Sequence, residues 1–130
     1  MSGLHLKVIG KVVNGVTESP HDWADVRSRI VIRPSYIDGL YRLSRFRHVW
    51  IIFGFHRQRD TVLRVHPRRD PRMPLFGVFA TQSPTRPNKI GLTLVELLRI
   101  RRNVLTVKGL DAFDGSPVYD IKPSEDEIDF

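Results

Sequence analysis

Three stretches of this chain hold residue types that could do chemistry at close quarters. The first is the bend Gln82-Ser-Pro-Thr-Arg-Pro-Asn-Lys89, set between the runs Gly77–Thr81 and Ile90–Leu98. Its two prolines fix φ and remove donors, so Ser83, Thr85, Arg86, Asn88 and Lys89 ride on a stiff backbone. A spacer between strands needs only polarity, and this one looks shaped; a rigid hairpin loop is the plainer alternative. The second is Arg47-His-Val-Trp-Ile-Ile-Phe-Gly-Phe-His56. Its two-residue period puts Val49, Ile51, Phe53 and Phe55 on one apolar face and His48, Trp50, Ile52, Gly54 and His56 on the other. Gly54 leaves space there, so that face could floor a pocket. The third is Leu110-Asp-Ala-Phe-Asp-Gly-Ser-Pro117, a tight loop carrying the carboxylates of Asp111 and Asp114.

The surrounding elements must hold these stretches in place, and they read as strands. Leu4–Val13 alternates apolar and polar residues and ends in the turn pair Asn14-Gly15. Arg27–Arg33 is a second strand stopped by Pro34, and Tyr36–Leu43 is a turn or short helical segment. Thr61–His66 is a further strand, and the three prolines of Pro67–Pro74 make a basic loop. Thr93–Ile100 and Val104–Gly109 form a hairpin about Arg102-Asn103, although Leu94, Leu97 and Leu98 also fit helical spacing. Val118–Lys122 is the last strand. Trp23 lies in loop chemistry and would cover one end of the core. Seven or eight short strands with no repeat and no linker predict an all-β, single-domain barrel. The expected domain is 1–123, with 124–130 an acidic tail that frays.

Charge narrows the partners. From Tyr41 to Leu110 there are fifteen cations, thirteen of them arginine, against Asp60, Asp70 and Glu96, a net of +12. From Asp111 onward seven acids face Lys122 alone, a net of −6. So arginine-rich a middle suits phosphate forks and base stacking; a solvated basic surface is the alternative. The arginines of 57–72 and 99–102 are the phosphate-contact candidates. Arg86 and Asn88 could meet a splayed base, or simply bond their own loop. There are no cysteines, so thiolate chemistry is excluded. His48 and His56 would lie about 27 Å apart along an extended strand, too far to share a metal. No apolar run approaches the ~20 residues of a membrane span and no secretory signal is visible, so a cytoplasmic protein is expected.

These stretches carry a family resemblance. IGKV at Ile9, IVIRPSYIDGL at Ile30, FRHVWIIFGFH at Phe46, GVFATQSPTRPNKIGLTLVEL at Gly77 and LDAFDGSPVYDIKP at Leu110 resemble, in order, the TrmO-like (TsaA-like) tRNA methyltransferases. The resemblance implies a β-barrel homodimer, here a short member without the C-terminal region some members carry. It implies methylation by S-adenosylmethionine of the exocyclic amine of threonylcarbamoyl-adenosine, next to the anticodon of tRNA.

Carried over by position, His56, Arg57, Leu94, Leu110, Asp111, Asp114 and Gly115 would contact the cofactor; plain core for Leu94 and Leu110, and a turn-forming role for Asp111 and Asp114, are the alternatives. Gln82 stands at the place of a family arginine in that site, and Lys122 on the lysine of the terminal strand. Lys89 and Ser124 replace a usual proline and tyrosine. The carboxylates of Asp111 and Asp114 suit a sulfonium and an amine. Arg86, Asn88 and Lys122 are the substrate-side candidates. Methyl transfer needs alignment and exclusion of water, and the acceptor nitrogen must lose a proton, for which His56, Asp114 and Asp120 are the candidate bases. Two alternatives stand beside this reading: a methyltransferase of the same fold with another substrate, and a non-catalytic RNA-binding barrel.

Overall fold

The computed structural model describes residues 3–124. Eight strands are present among them: β1 (Gly10–Val13), β2 (Arg27–Ile32), β3 (His48–Gly54), β4 (Arg64–Val65), β5 (Phe76–Gly77), β6 (Ile90–Arg101), β7 (Val104–Lys108) and β8 (Pro117–Pro123). Six of them close into an antiparallel barrel in the order β1-β2-β7-β6-β3-β8, with β8 pairing back onto β1. The expected all-β barrel is therefore the fold. β4 and β5 form a separate two-stranded arm. The remaining regular structure comprises short 3₁₀ turns, one of which, Pro34–Leu40, accounts for the helical reading of Tyr36–Leu43.

Alternation explains both the closure and the core. β2 exposes Arg27 and Arg29 and buries Ser28 and Ile30, while β3 turns Val49, Ile51 and Phe53 inward. Ile30, Val49, Ile51 and Phe53 meet Val12, Val95 and Leu105 in one core. Each such burial removes apolar surface worth about 1.5–3 kcal/mol from water. Trp23 packs edge-on against Phe113 with ring centroids 5.5 Å apart.

Several sequence expectations are corrected. The first strand starts at Gly10, not Leu4, because only from Ile9 onward does the chain find partners on β2 and β8. Thr61–His66 contributes only Arg64 and Val65 to pairing, and Gly77–Thr81 passes from β5 into a 3₁₀ turn. Gly54 floors no pocket: a Cβ there would stand 2.8 Å from the Tyr119 hydroxyl, so the tyrosine already fills that space. The alternative helix over Leu92–Ile100 is a strand. The amide of Ser124 donates to the His48 carbonyl at 3.1 Å. Residues 125–130, most of the expected acidic tail, lie outside the described residues.

Candidate functional site

β6 is twelve residues long and is paired unequally on its two sides. It meets β3 from Ile90 through Glu96, but meets β7 only from Glu96 onward. Ile90–Val95 is thus an open sheet edge on one side. The Phe55 amide donates to the Lys89 carbonyl at 2.9 Å and the Leu97 amide to the Arg47 carbonyl at 2.8 Å. In an antiparallel ladder these bonds fix the parity, so residues 91, 93 and 95 also turn their amides to β3. Leu92 and Leu94 therefore turn their N–H and C=O groups to the open edge.

A cleft of about 310 Å³ lies against this edge, at the small end of the range for ligand pockets. Ile90, Leu92 and Leu94 give it an apolar wall, and Gln82, Arg86 and Asp111 supply its polar groups. Leu92 and Leu94 are 55% and 42% exposed, far more than strand leucines packed in a core. Phe53 and Phe55 close its inner end, where Gly91 makes room: a Cβ on Gly91 would lie 2.6 Å from the Phe53 ring. The Thr93 hydroxyl donates to Asp111 Oδ1 at 2.5 Å, which fixes the carboxylate beside the edge.

The bend beside the cleft is stiffened by its own cations. Arg86 Nη1 donates to the carbonyls of Val78, Thr81 and Ser83 at 3.0, 2.7 and 3.2 Å. Its guanidinium lies 5.9 Å from the Phe79 ring centroid, and Phe79 is 76% exposed. Lys89 Nζ donates to the Asp60 carbonyl at 2.7 Å, to Thr61 Oγ1 at 2.9 Å and to the Arg86 carbonyl. Arg86 does bond its own loop, and so holds the bend in shape next to the cleft it lines.

A second group of expected residues gathers on the 111–116 loop. Asp114 Oδ1 accepts the amides of Asn14 at 2.9 Å and Gly15 at 3.1 Å. Those bonds hold the Asp114 carboxyl below its ordinary range, with lesser help from the nearby Lys11 charge. Asn14 also donates to Ser28 Oγ and to the Ala112 carbonyl, both at 2.9 Å, so β1, β2 and the loop are stapled together. Ser116 donates its hydroxyl to the Phe113 carbonyl at 2.7 Å and lies 3.3 Å from His56 Nδ1. With the serine proton spent on Phe113, Nδ1 is the donor to Ser116, which in the neutral imidazole leaves Nε2 as the acceptor nitrogen. Arg57 covers the Phe113 ring at 4.2 Å and donates to the Thr17 carbonyl. The Gly115 amide donates to the Val12 carbonyl at 2.8 Å.

The expected residues thus fall into separate places. Gln82, Arg86, Leu94 and Asp111 share the cleft. His56, Arg57, Asp114 and Gly115 stand around the loop whose first residue, Asp111, lines that cleft. Leu110 is fully buried in the core, so its side chain is not offered to a ligand. Asp120 and Lys122 lie on β8, opposite Ile52 and Trp50 of β3, and Trp50 in turn lies opposite Leu94. Asp120 Oδ1 accepts the Ile121 amide at 2.9 Å. Asn88 is exposed on the bend, its carbonyl bonded by the Ile90 amide at 2.9 Å.

Sequence reasoning missed Thr93, Phe79, Asn14 and Ser116. Only Thr93 left a signal, a hydroxyl at an inward position of an apolar strand. Among the described residues no three His, Asp or Glu side chains converge as a metal site, and no helix is long and apolar enough to cross a membrane.

An antiparallel barrel with a polar-capped apolar cleft on one open strand edge defines a small-ligand-binding class, and the comparisons specify the family. The chain belongs to the family of the tRNA-methyltransferase O N-terminal domain, which matches residues 11–130. An S-adenosyl-L-methionine-binding protein of Archaeoglobus fulgidus is 44% identical over 107 residues, covering 82% of this chain and 76% of that one. The tRNA (adenine(37)-N6)-methyltransferase of Homo sapiens is 41% identical over 108 residues, 80% of this chain but 23% of that protein. The crystal structure of TrmO from Pseudomonas aeruginosa superposes with a TM-score of 0.75 at 28% identity, covering 95% of this chain and 56% of that one. This chain therefore spans little more than half of the solved chain and under a quarter of the human protein.

Proposed function

We propose that this protein is an S-adenosylmethionine-dependent methyltransferase acting in the cytoplasm on the exocyclic amine of threonylcarbamoyl-adenosine, next to the tRNA anticodon. The open edge of β6 carries the reading, because it joins free backbone groups, apolar side chains and a fixed carboxylate in one cleft. That donor set fits the cofactor: an apolar wall for the adenine, edge amides for its ring nitrogens, and Asp111 for a cationic group. The family relatives named for S-adenosylmethionine binding and for tRNA adenine methylation support it. The bound cofactor supplies the methyl group.

The chain's own residues then have distinct tasks. Leu92 and Leu94 exclude water and bind through backbone and side chain, and Thr93 holds Asp111 in register. Phe79, exposed beside the arginine that shapes the bend, offers a stacking face for a splayed anticodon-loop base. Of the candidate bases, His56 is best suited to take the acceptor's proton. Asp114 is committed to two amides that make it a weaker base, and Asp120 lies on β8 outside the cleft lining, whereas the neutral His56 ring keeps Nε2 as an acceptor and follows Phe55 of the cleft. The arm exposes Leu63, Leu75 and Phe76, apolar surface that a second copy would cover in a homodimer.

Incubation with labelled S-adenosylmethionine and tRNA carrying threonylcarbamoyl-adenosine should yield a methylated nucleoside. Phe79→Ala should raise the KM for tRNA about tenfold, one stacking contact being worth about 1–3 kcal/mol, with the cofactor KM unchanged. Absence of product at high enzyme concentration would overturn the activity.

A further inference from the structure

Four arginines gather at a second place, remote from the cleft. A register shift between Leu97 and Arg99 inserts Leu98 as an extra residue in β6. Before it the inward side chains are Gly91, Thr93 and Val95; after it the inward one is Ile100, opposite Leu105. The bulge therefore turns Arg99 and Arg101 outward, where an uninterrupted period of two would have sent them into the barrel. Arg99 then lies opposite Thr106 of β7, and Thr106 opposite Arg29 of β2, so the two arginines flank Thr106 on one outer face.

These arginines, with Arg101 and Arg102, line an open depression of about 460 Å³ that also includes Thr106 and Asn103. None of its lining residues is acidic. Among the described residues none of the four arginines is ion-paired. Four uncompensated guanidinium groups this close repel one another, which disfavours the free protein and favours an anionic occupant. The hairpin tip is itself informative. Arg102 has φ +56°, at the first of two loop residues, a left-handed conformation that glycine adopts without strain. Arginine there costs roughly 1 kcal/mol against glycine. The tip is held firmly: the Ile32 amide donates to the Asn103 carbonyl at 2.8 Å and Asn103 Nδ2 to the Ile32 carbonyl at 2.7 Å.

We propose that this face of β2, β7 and the far half of β6 is a separate RNA-backbone site, in which Arg29, Arg99, Arg101 and Arg102 take phosphates. It lies on the order of 24 Å along β6 from Leu92, at seven residues' remove. A single nucleotide cannot occupy both places, so the occupant is a polynucleotide whose backbone continues past the modified base. The arginine forks fit phosphate oxygens without reading sequence. The site rests on the proposed RNA substrate for its occupant, and it separates affinity from chemistry: the arginines hold the RNA while the cleft binds cofactor.

Fluorescence anisotropy of an anticodon stem-loop and of an unrelated stem-loop, each over a range of NaCl, tests this with two variants. Arg29→Glu/Arg99→Glu should weaken binding of both RNAs at least tenfold and lower the slope of log affinity on log salt by about 2, some 0.9 per lost phosphate. The S-adenosylmethionine-induced thermal shift should be unchanged. Arg102→Gly should raise or preserve the melting temperature while weakening RNA binding, an opposition that a merely structural arginine would not produce. Wild-type affinity and salt slope in both variants, while wild type methylates tRNA, would overturn the site and leave the activity standing. Loss of binding in the variants of a protein that methylates nothing would uphold the site and overturn the activity. A wild-type protein that binds anionic vesicles but neither RNA would overturn the site.

Discussion

Thr93 Oγ1 and Asp111 Oδ1 are 2.5 Å apart, and this bond joins the open edge of β6 to the acidic loop that follows β7. Thr93 sits on the strand that walls the cleft, and Asp111 supplies the cleft's carboxylate. One hydroxyl thus sets the direction of the carboxylate in the cleft.

Thr93→Val keeps the shape of that side chain and removes its donor. We expect S-adenosylmethionine affinity to fall about fivefold, the equivalent of about 1 kcal/mol for one hydrogen bond. Titration calorimetry reads the change directly. An unaltered Kd would show that Asp111 needs no orienting partner.

Asp114 is expected to govern part of the acid stability. Its folded pKa is lowered, first by the Asn14 amide and then by the Gly15 amide. A depressed carboxyl contributes stability above its unfolded value of about 3.9, and that contribution is lost as pH falls through the lower folded value. Urea midpoints followed from about pH 7 to about pH 2 should therefore fall more steeply in the wild type than in Asp114→Asn. Parallel curves would exclude the linkage.

Gly91→Ala should destabilise the barrel by about 1–3 kcal/mol, since the added methyl overpacks the core. Its Cβ would stand 2.6 Å from Phe53 Cζ and 2.9 Å from Phe55 Cζ. Both rings close the inner end of the cleft, so cofactor binding should weaken together with stability. Thermal denaturation with and without cofactor separates the two effects.

Lys89→Met would release the bend from Asp60, Thr61 and Arg86. The Val62 amide, bonded to the Thr85 carbonyl at 2.9 Å, is the reporter: its hydrogen exchange should accelerate while amides of β2 and β7 keep their protection. Uniform acceleration would point instead to global destabilisation.

Local pattern made much of this molecule legible from its residues. Alternation in Arg27–Ile32 and His48–Phe53 determines which side chains enter the core, because a strand's period of two needs no knowledge of its neighbours. The motif at Gly77–Leu98 identified the family, and it placed Gln82, Arg86 and Leu94 in what became a single cleft. Pairing decided the rest. That β7 reaches β6 only from Glu96 is a fact about two strands, and it alone leaves Leu92 and Leu94 on an open edge. Gly54 looked like space until β8 brought Tyr119 against it. Leu110 could have been ligand contact or core, and barrel closure buried it. The bulge at Leu98 reverses the parity of β6, so no count along the sequence could have put Arg99 on the same outer face as Arg29, seventy residues earlier. Sequence determines what each residue prefers locally; register determines which preferences meet, because one inserted residue sends every later side chain to the opposite face.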